Sequence, residues 1–163
     1  MLVREVMSSP VATCAPTDSL ADAARWLWDQ DCGVLPVVDA RGSVGAMITD
    51  RDICMAAYTT GKSLPELRVA DAMSQDLVTC KAGDRVSAAA GLMATHRVRR
   101  LPVVDDEGKI CGVLSLNDLA RAATKNTALG RDALQVLAAA GQRRERAVAA
   151  TPTAKERAAT SSS

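Results

Sequence analysis

The stretch LPVVDARG at residues 35–42 returns as LPVVDDEG at residues 101–108. The offset of 66 residues holds without a gap in both directions along the chain. VMSSPVATCAPTD (6–18) lies over AMSQDLVTCKAGD (72–84), and Thr13-Cys14 meets Thr79-Cys80. Asp18 meets Asp84, and Asp52 meets Asp118. An internal repeat sets the architecture before any other feature. Units of about 60 residues sit near the lower limit for folding alone. Each is therefore expected to bury a face against the other, about a pseudo-two-fold axis.

Outward from LPVVD, each unit reads as β-α-β-β-α. In the first unit VATC (11–14) is a short strand and PTDSLADAARWLWDQD (16–31) a helix. Pro16 and Asp18 or Ser19 mark the helix start, and Leu20, Ala23, Ala24 and Leu27 share one face. VLPVVD (34–39) and SVGAMIT (43–49) are strands joined by a turn at Gly42, and DRDICMAAY (50–58) is a helix. Pro36 inside its strand argues for an edge or a strand start. The second unit repeats the order from LVTC (77–80) to LNDLARAAT (116–124), with Val86, Ala89, Ala90 and Met93 as the helical stripe. The fold class is α+β, two β-α-β-β-α repeats with helices on one face of a small sheet. The expected bounds are 1–62 for the first repeat, 63–68 for a linker and 69–124 for the second repeat. A C-terminal helical segment follows at 125–150, then a small, polar, disordered tail at 151–163.

Composition narrows the function classes. Aromatic residues are 2% of the chain and Phe is absent, so the core must be aliphatic. The formal net charge is +1, with eight Lys/Arg against three Asp/Glu in residues 121–163. The rest of the chain is mildly acidic, so no global field draws it to nucleic acid or a membrane. The lack of aromatics for base stacking counts further against nucleic acid. No signal-like or membrane-spanning apolar run is visible. The five cysteines form no C-x-x-C and there is one His, so the spacing shows no zinc motif. The expectation is a cytoplasmic protein with reduced thiols. GKS (61–63) resembles the end of a phosphate loop, but the earlier glycine that loop needs is Ala56. No nucleophile–His–acid set is present, so the chain does not read as an enzyme.

Two constellations carry chemistry. Thr49 and Asp52, and again Ser115 and Asp118, set a hydroxyl three residues before a carboxylate at a strand-to-helix junction. This is a helix-capping pattern. The same groups at a helix start also suit a polar or anionic ligand, with the carboxylate accepting from vicinal hydroxyls. The second constellation is THRVRRLPVVD (95–105), in which Arg97, Arg99 and Arg100 enter a strand. Either they bind an anion through paired charge-assisted hydrogen bonds, or they pair with acidic residues of the other repeat.

The doubled pattern VMSSPVATC…LPVVD…GAMITDRDI and AMSQDLVTC…HRVRRLPVVD…GKICGVLSLNDL resembles a tandem pair of CBS domains, the Bateman module, over residues 1 to about 124. The resemblance implies that the two repeats pack together through their sheets, leaving two clefts, and that the chain is a stand-alone regulatory module whose clefts take an adenosine-containing ligand. AMP, ADP or ATP come first, and S-adenosylmethionine ranks lower. It implies no required cofactor and no metal. It assigns the ribose to Asp52 and Asp118 with Thr49 and Ser115, and the base to Val11, Ala12, Thr13, Val34, Leu35, Pro36, Leu77, Val78, Thr79, Arg100, Leu101 and Pro102. The phosphates fall to Arg97, Arg99 and Arg100, with Arg51 the one cation near the first junction. The first repeat has Asp31, Gly33 and Val34 where the second has the arginines, and Ala46 where the second has Gly112. One phosphate-competent site, on the second repeat, is therefore expected.

Trp26 and its equivalent Leu92 lie off the helical stripes, which points to a second contact surface. The resemblance implies a homodimer through these helices, joined by Met55 and Tyr58. Any output must pass to an unknown protein partner in trans. The competing reading is a ligand-free structural or stress-related protein, stabilised by dimerisation or by cysteine chemistry.

Overall fold

The computed structural model describes residues 1–74, 76–124 and 127–141. The expected tail at 151–163 and the last part of the expected helical segment, 142–150, lie outside the described residues. Two α+β units follow one another. The first has α1 (Leu20–Asp29), β1 (Val34–Val38), β2 (Val44–Thr49) and α2 (Asp50–Thr60). The second has β3 (Cys80–Lys81), α3 (Val86–His96), β4 (Arg100–Val104), β5 (Ile110–Ser115) and α4 (Leu116–Ala123). A fifth helix, α5 (Thr127–Gly141), follows.

Local chemistry explains the elements. Ser19 is the N-cap of α1 and accepts from the Asp22 N–H, which settles the choice between Asp18 and Ser19. The stripe Leu20, Ala23 and Leu27 is buried, as is Val86, Ala89, Ala90 and Met93 in α3. The β1–β2 hairpin turns on Asp39, whose carboxylate accepts from the Arg41 and Ser43 N–H groups. Gly42 supplies the φ of 82° that the turn needs. Asp105 and Gly108 repeat the device between β4 and β5. Gly61, at φ 68°, closes α2 as a left-handed cap, so GKS is a helix end.

The first strand of each unit is shorter than expected. Residues 11–14 reduce to a single parallel bridge, Cys14 with Val37, and 77–80 to the two-residue β3. The LPV proline is the cause. In the parallel bridge the Cys14 N–H donates to Pro36 O and the Val38 N–H donates to Cys14 O. The next rung back needs an N–H at position 36, and proline has none. Pro102 ends the ladder in the same way beside Cys80. Residues 11–13 and 77–79 thus leave the sheet.

The structural units are out of phase with the sequence repeat. Val3 donates to Asp84 O at 2.9 Å, and Ser8 and Val113 exchange two backbone hydrogen bonds of 3.0 and 3.1 Å. Val3 is buried in the core of the second unit, with Leu101, Val103, Leu114 and Leu119. Its equivalent Val69 is buried in the first core, with Leu35, Val37, Ile48 and Ile53. The bridge of Met47 with Ser74 mirrors that of Val113 with Ser8 at the 66-residue offset. Each unit is therefore closed by the segment that precedes the other. Ser43 bridges Lys109, its own equivalent, so the pseudo-two-fold axis passes between them and the two sheets meet there. The helix α5 lies across α3 and α4 and adds Leu129 and Val136 to the second core.

Candidate ligand-binding site

Val11 and Ala12, which Pro36 releases from the first sheet, help to form a cavity of about 500 Å³. Its walls come from four places. Ser8, Pro10, Val11 and Ala12 of the N-terminal segment form one, and the α1–β1 loop from Gln30 to Val34 forms another. Arg99 and Arg100 stand at the start of β4. Val113, Ser115, Leu116, Asn117 and Asp118 close the end of β5 and the first turn of α4, and Leu137 of α5 reaches the rim.

Gly33 and Val34 are the repeat equivalents of Arg99 and Arg100, and the fold sets the two pairs against each other. A Cβ on Gly33 would lie 3.0 Å from an Arg100 guanidinium nitrogen, so the cation rests close against the Gly33 backbone. Both arginines are exposed, and neither forms a salt bridge within the described residues. The alternative in which they pair internally with the other repeat therefore finds no support among those residues.

Beside Arg100, its cross-strand partner Ser115 forms a closed capping box with Asp118. The Ser115 N–H and hydroxyl both donate to Asp118 Oδ2, and the Asp118 N–H donates to Ser115 Oγ at 3.3 Å. The other carboxylate oxygen of Asp118 accepts from Arg121. Asp118 is 2% exposed, and among the described residues no buried side-chain N or O atom lacks a partner. A ligand hydroxyl would share a carboxylate that already holds the start of α4. Asp52 and Thr49 make the same box at α2, where Asp52 is only half-buried.

The expected site residues thus divide. Val11, Ala12, Val34, Arg99, Arg100, Ser115 and Asp118 line the cavity. Thr49, Asp52 and Arg51 sit at the start of α2 and do not line it; Arg51 donates its N–H to Asp50. Thr13, Leu77 and Thr79 are half-buried in the released segments, outside the cavity lining. Leu35, Pro36, Leu101 and Pro102 are buried, with the two leucines in the cores. Arg97 takes the left-handed conformation, φ 53°, as the cap that ends α3, and does not line the cavity. Its equivalent Asp31 has φ 47°. The sequence reading passed over Ser8, Gln30, Asn117 and Leu137. The 66-residue offset pairs Gly33 with Arg99 and was the available signal for the α1–β1 loop, whereas nothing in the chain marked Leu137.

Cys32 faces this cavity half-buried, and Cys54 is exposed on α2. Cys14 and Cys80 are buried, and burial pushes both thiols up to about 12, with Asp18 and Asp84 respectively adding to the effect. All five cysteines are free. No group of three or more His, Cys, Asp or Glu side chains among the described residues is placed to hold a metal ion. No helix among them is long and apolar enough to cross a membrane.

On the helical surface, Tyr58 is 81% and Met55 38% exposed, while Trp26 and Leu92 are half-buried against the two cores. The most exposed aromatic is Trp28, at 85%.

The family model of the CBS domain matches the chain twice, over residues 3–58 and 69–125. The CBS domain-containing protein YhcV of Bacillus subtilis is 34% identical over 128 residues, covering 78% of this chain and 89% of YhcV. The inosine-5'-monophosphate dehydrogenase of Methanocaldococcus jannaschii is 34% identical over 115 residues, covering 71% of this chain and 22% of that enzyme. Relatives thus include both stand-alone CBS proteins and the CBS portions of enzymes. Among solved structures, the CBS domain pair of protein MJ0100, in complex with 5'-methylthioadenosine and S-adenosyl-L-methionine, has a TM-score of 0.69 at 26% identity. The match covers 77% of this chain and 97% of that one. CBSX2 in complex with AMP has a TM-score of 0.67 at 26% identity, covering 77% of this chain and 98% of that one. With two matched domains, a reciprocal exchange of closing segments and these neighbours, the chain belongs to the CBS domain family as a tandem pair.

Proposed function

We propose that this chain is a non-catalytic regulatory module that binds an adenine nucleotide of the AMP, ADP or ATP class in the cleft between the repeats, mainly at the site of the second. The observation that carries the reading is the pair Arg99 and Arg100, free of salt bridges within the described residues, set beside Ser115 and Asp118 on the wall of one cavity of about 500 Å³. Two guanidinium groups suit a phosphate. They disfavour a sulfonium, which ranks S-adenosylmethionine below the nucleotides. The volume falls within the range of small-molecule sites. Adenosine-containing ligands in the structures of the MJ0100 pair and CBSX2 support the same class. A ligand held between Gly33–Val34 and Arg99–Arg100 touches both repeats, so it favours one arrangement of the two over others.

The test is a thermal melt with AMP, ADP, ATP and S-adenosylmethionine, on the wild type and on Arg99→Ala and Arg100→Ala. At 100 times its dissociation constant a ligand adds about 2.7 kcal/mol. This raises the midpoint by roughly 5–11 °C for a chain of this size. The rise should vanish in the arginine variants. A wild type that none of the four ligands shifts refutes the reading.

A homodimer through the α1–α2 face belongs to the same proposal. In the second repeat α5 covers the corresponding helices, whereas Trp28, Met55 and Tyr58 remain open on the first.

A further inference from the structure

The helix α5 lies beyond the second family match, which ends at residue 125, yet it reaches both the core and the cavity. Val136 is fully buried beneath it, against α3 and α4. The next residue, Leu137, is 54% exposed and lines the rim of the cavity. An apolar side chain half open to solvent beside a polar cleft gains further burial only when something fills that cleft. A second connection runs through α4. Leu116, Asn117 and Asp118 of its first turn line the cavity, while Leu119 and Ala122 on its inner face belong to the core that α5 completes. A ligand held at Asp118 therefore steadies the helix that α5 grips.

We propose that α5 is a wall of the ligand site, with Leu137 as its contact, and that filling the cavity tightens the docking of α5 on α3 and α4. The inference rests on the nucleotide reading above and adds its output. The ligand binds the docked form better than the undocked form, because only the docked form offers Leu137. Linkage makes the effect reciprocal: whatever factor docking adds to ligand affinity, the ligand adds to docking. Occupancy of a small cavity is thereby reported at a helix outside the CBS pair, where a partner in trans can read it.

The experiment uses the full chain and the nucleotide, among AMP, ADP and ATP, that raises the melting midpoint most. Titration calorimetry compares the wild type with Leu137→Ala and with Leu134→Ala. Leu134 is 67% exposed on the same helix and does not line the cavity. Leu137→Ala should weaken binding about 3- to 10-fold, and Leu134→Ala should leave it unchanged. Hydrogen exchange of the amides of residues 127–141 should slow on saturation by at least the factor lost in Leu137→Ala. If the nucleotide binds the wild type but Leu137→Ala binds it as tightly, or the α5 amides exchange at the same rate with and without it, the coupling is refuted while the nucleotide site stands. If no nucleotide binds the wild type, both fall together.

Discussion

Gly112→Ala tests how the N-terminal segment closes the second unit. A Cβ on Gly112 would lie 2.6 Å from Met7 Sδ and 2.9 Å from the backbone oxygen of Ser8. The methionine end can swing away, but the Ser8 carbonyl cannot, because it accepts from the Val113 N–H at 3.1 Å. The new methyl must push residues 7 and 8 off β5 and weaken both Ser8–Val113 hydrogen bonds. Overpacking of this kind costs about 1–3 kcal/mol, and each weakened backbone bond about 1 kcal/mol at most. We expect a loss near 2 kcal/mol, or a midpoint lowered by roughly 4–8 °C. The equivalent position is Ala46, which is 1% exposed in the first core, beside the intact Met47–Ser74 bridge. There the opposite change, Ala46→Gly, should destabilise, by about 1 kcal/mol from the lost methyl and added chain entropy. Thermal melts read both effects, and hydrogen exchange at Ser8 and Val113 reads the local one. An unshifted midpoint for Gly112→Ala, with those two amides as protected as in the wild type, would refute the reasoning. The same variant should weaken nucleotide binding, since Ser8 to Ala12 form one wall of the cavity.

Four further outcomes are expected. Arg97→Gly removes a left-handed arginine and should leave the stability unchanged or raise it by up to about 1 kcal/mol, read by thermal melts, with nucleotide affinity unaltered; a large affinity loss would return Arg97 to the site. Cys14 and Cys80 should resist alkylation in the folded protein at pH 8.5 while exposed Cys54 reacts. Since burial raises these two thiols from 9.0 to about 12, the unfolded chain ionises first as the pH climbs. Stability is then full below about pH 9 and declines toward pH 12, as denaturant melts across that window would read. Trp28→Ser combined with Tyr58→Ser should convert a sedimenting dimer to monomer without lowering the melting midpoint of the monomer, because both side chains are exposed; a chain that is already monomeric before substitution removes the proposed interface.

The chain alone determined the two-fold repetition, because a 66-residue offset without a gap leaves few ways to arrange two equal halves. It also determined the helical stripes, the Asp–Gly hairpins and the hydroxyl–carboxylate boxes, all of which act within a few residues of one another. Local chemistry of that range is written in local sequence. What the chain did not display is everything that depends on which segment meets which. Leu101 and Leu35 sit beside candidate wall residues in sequence, yet strand alternation turns both into the cores. Arg97 and Arg99 are two residues apart, but one caps a helix and the other faces the cavity. Val3 closes the second unit although it belongs to the first repeat, since only tertiary packing chooses between two equivalent cores for a segment that fits either. Leu137 reaches the cavity because α5 crosses α3 and α4 at a particular place, and that crossing is set by the complementary surfaces of three helices rather than by any one of them.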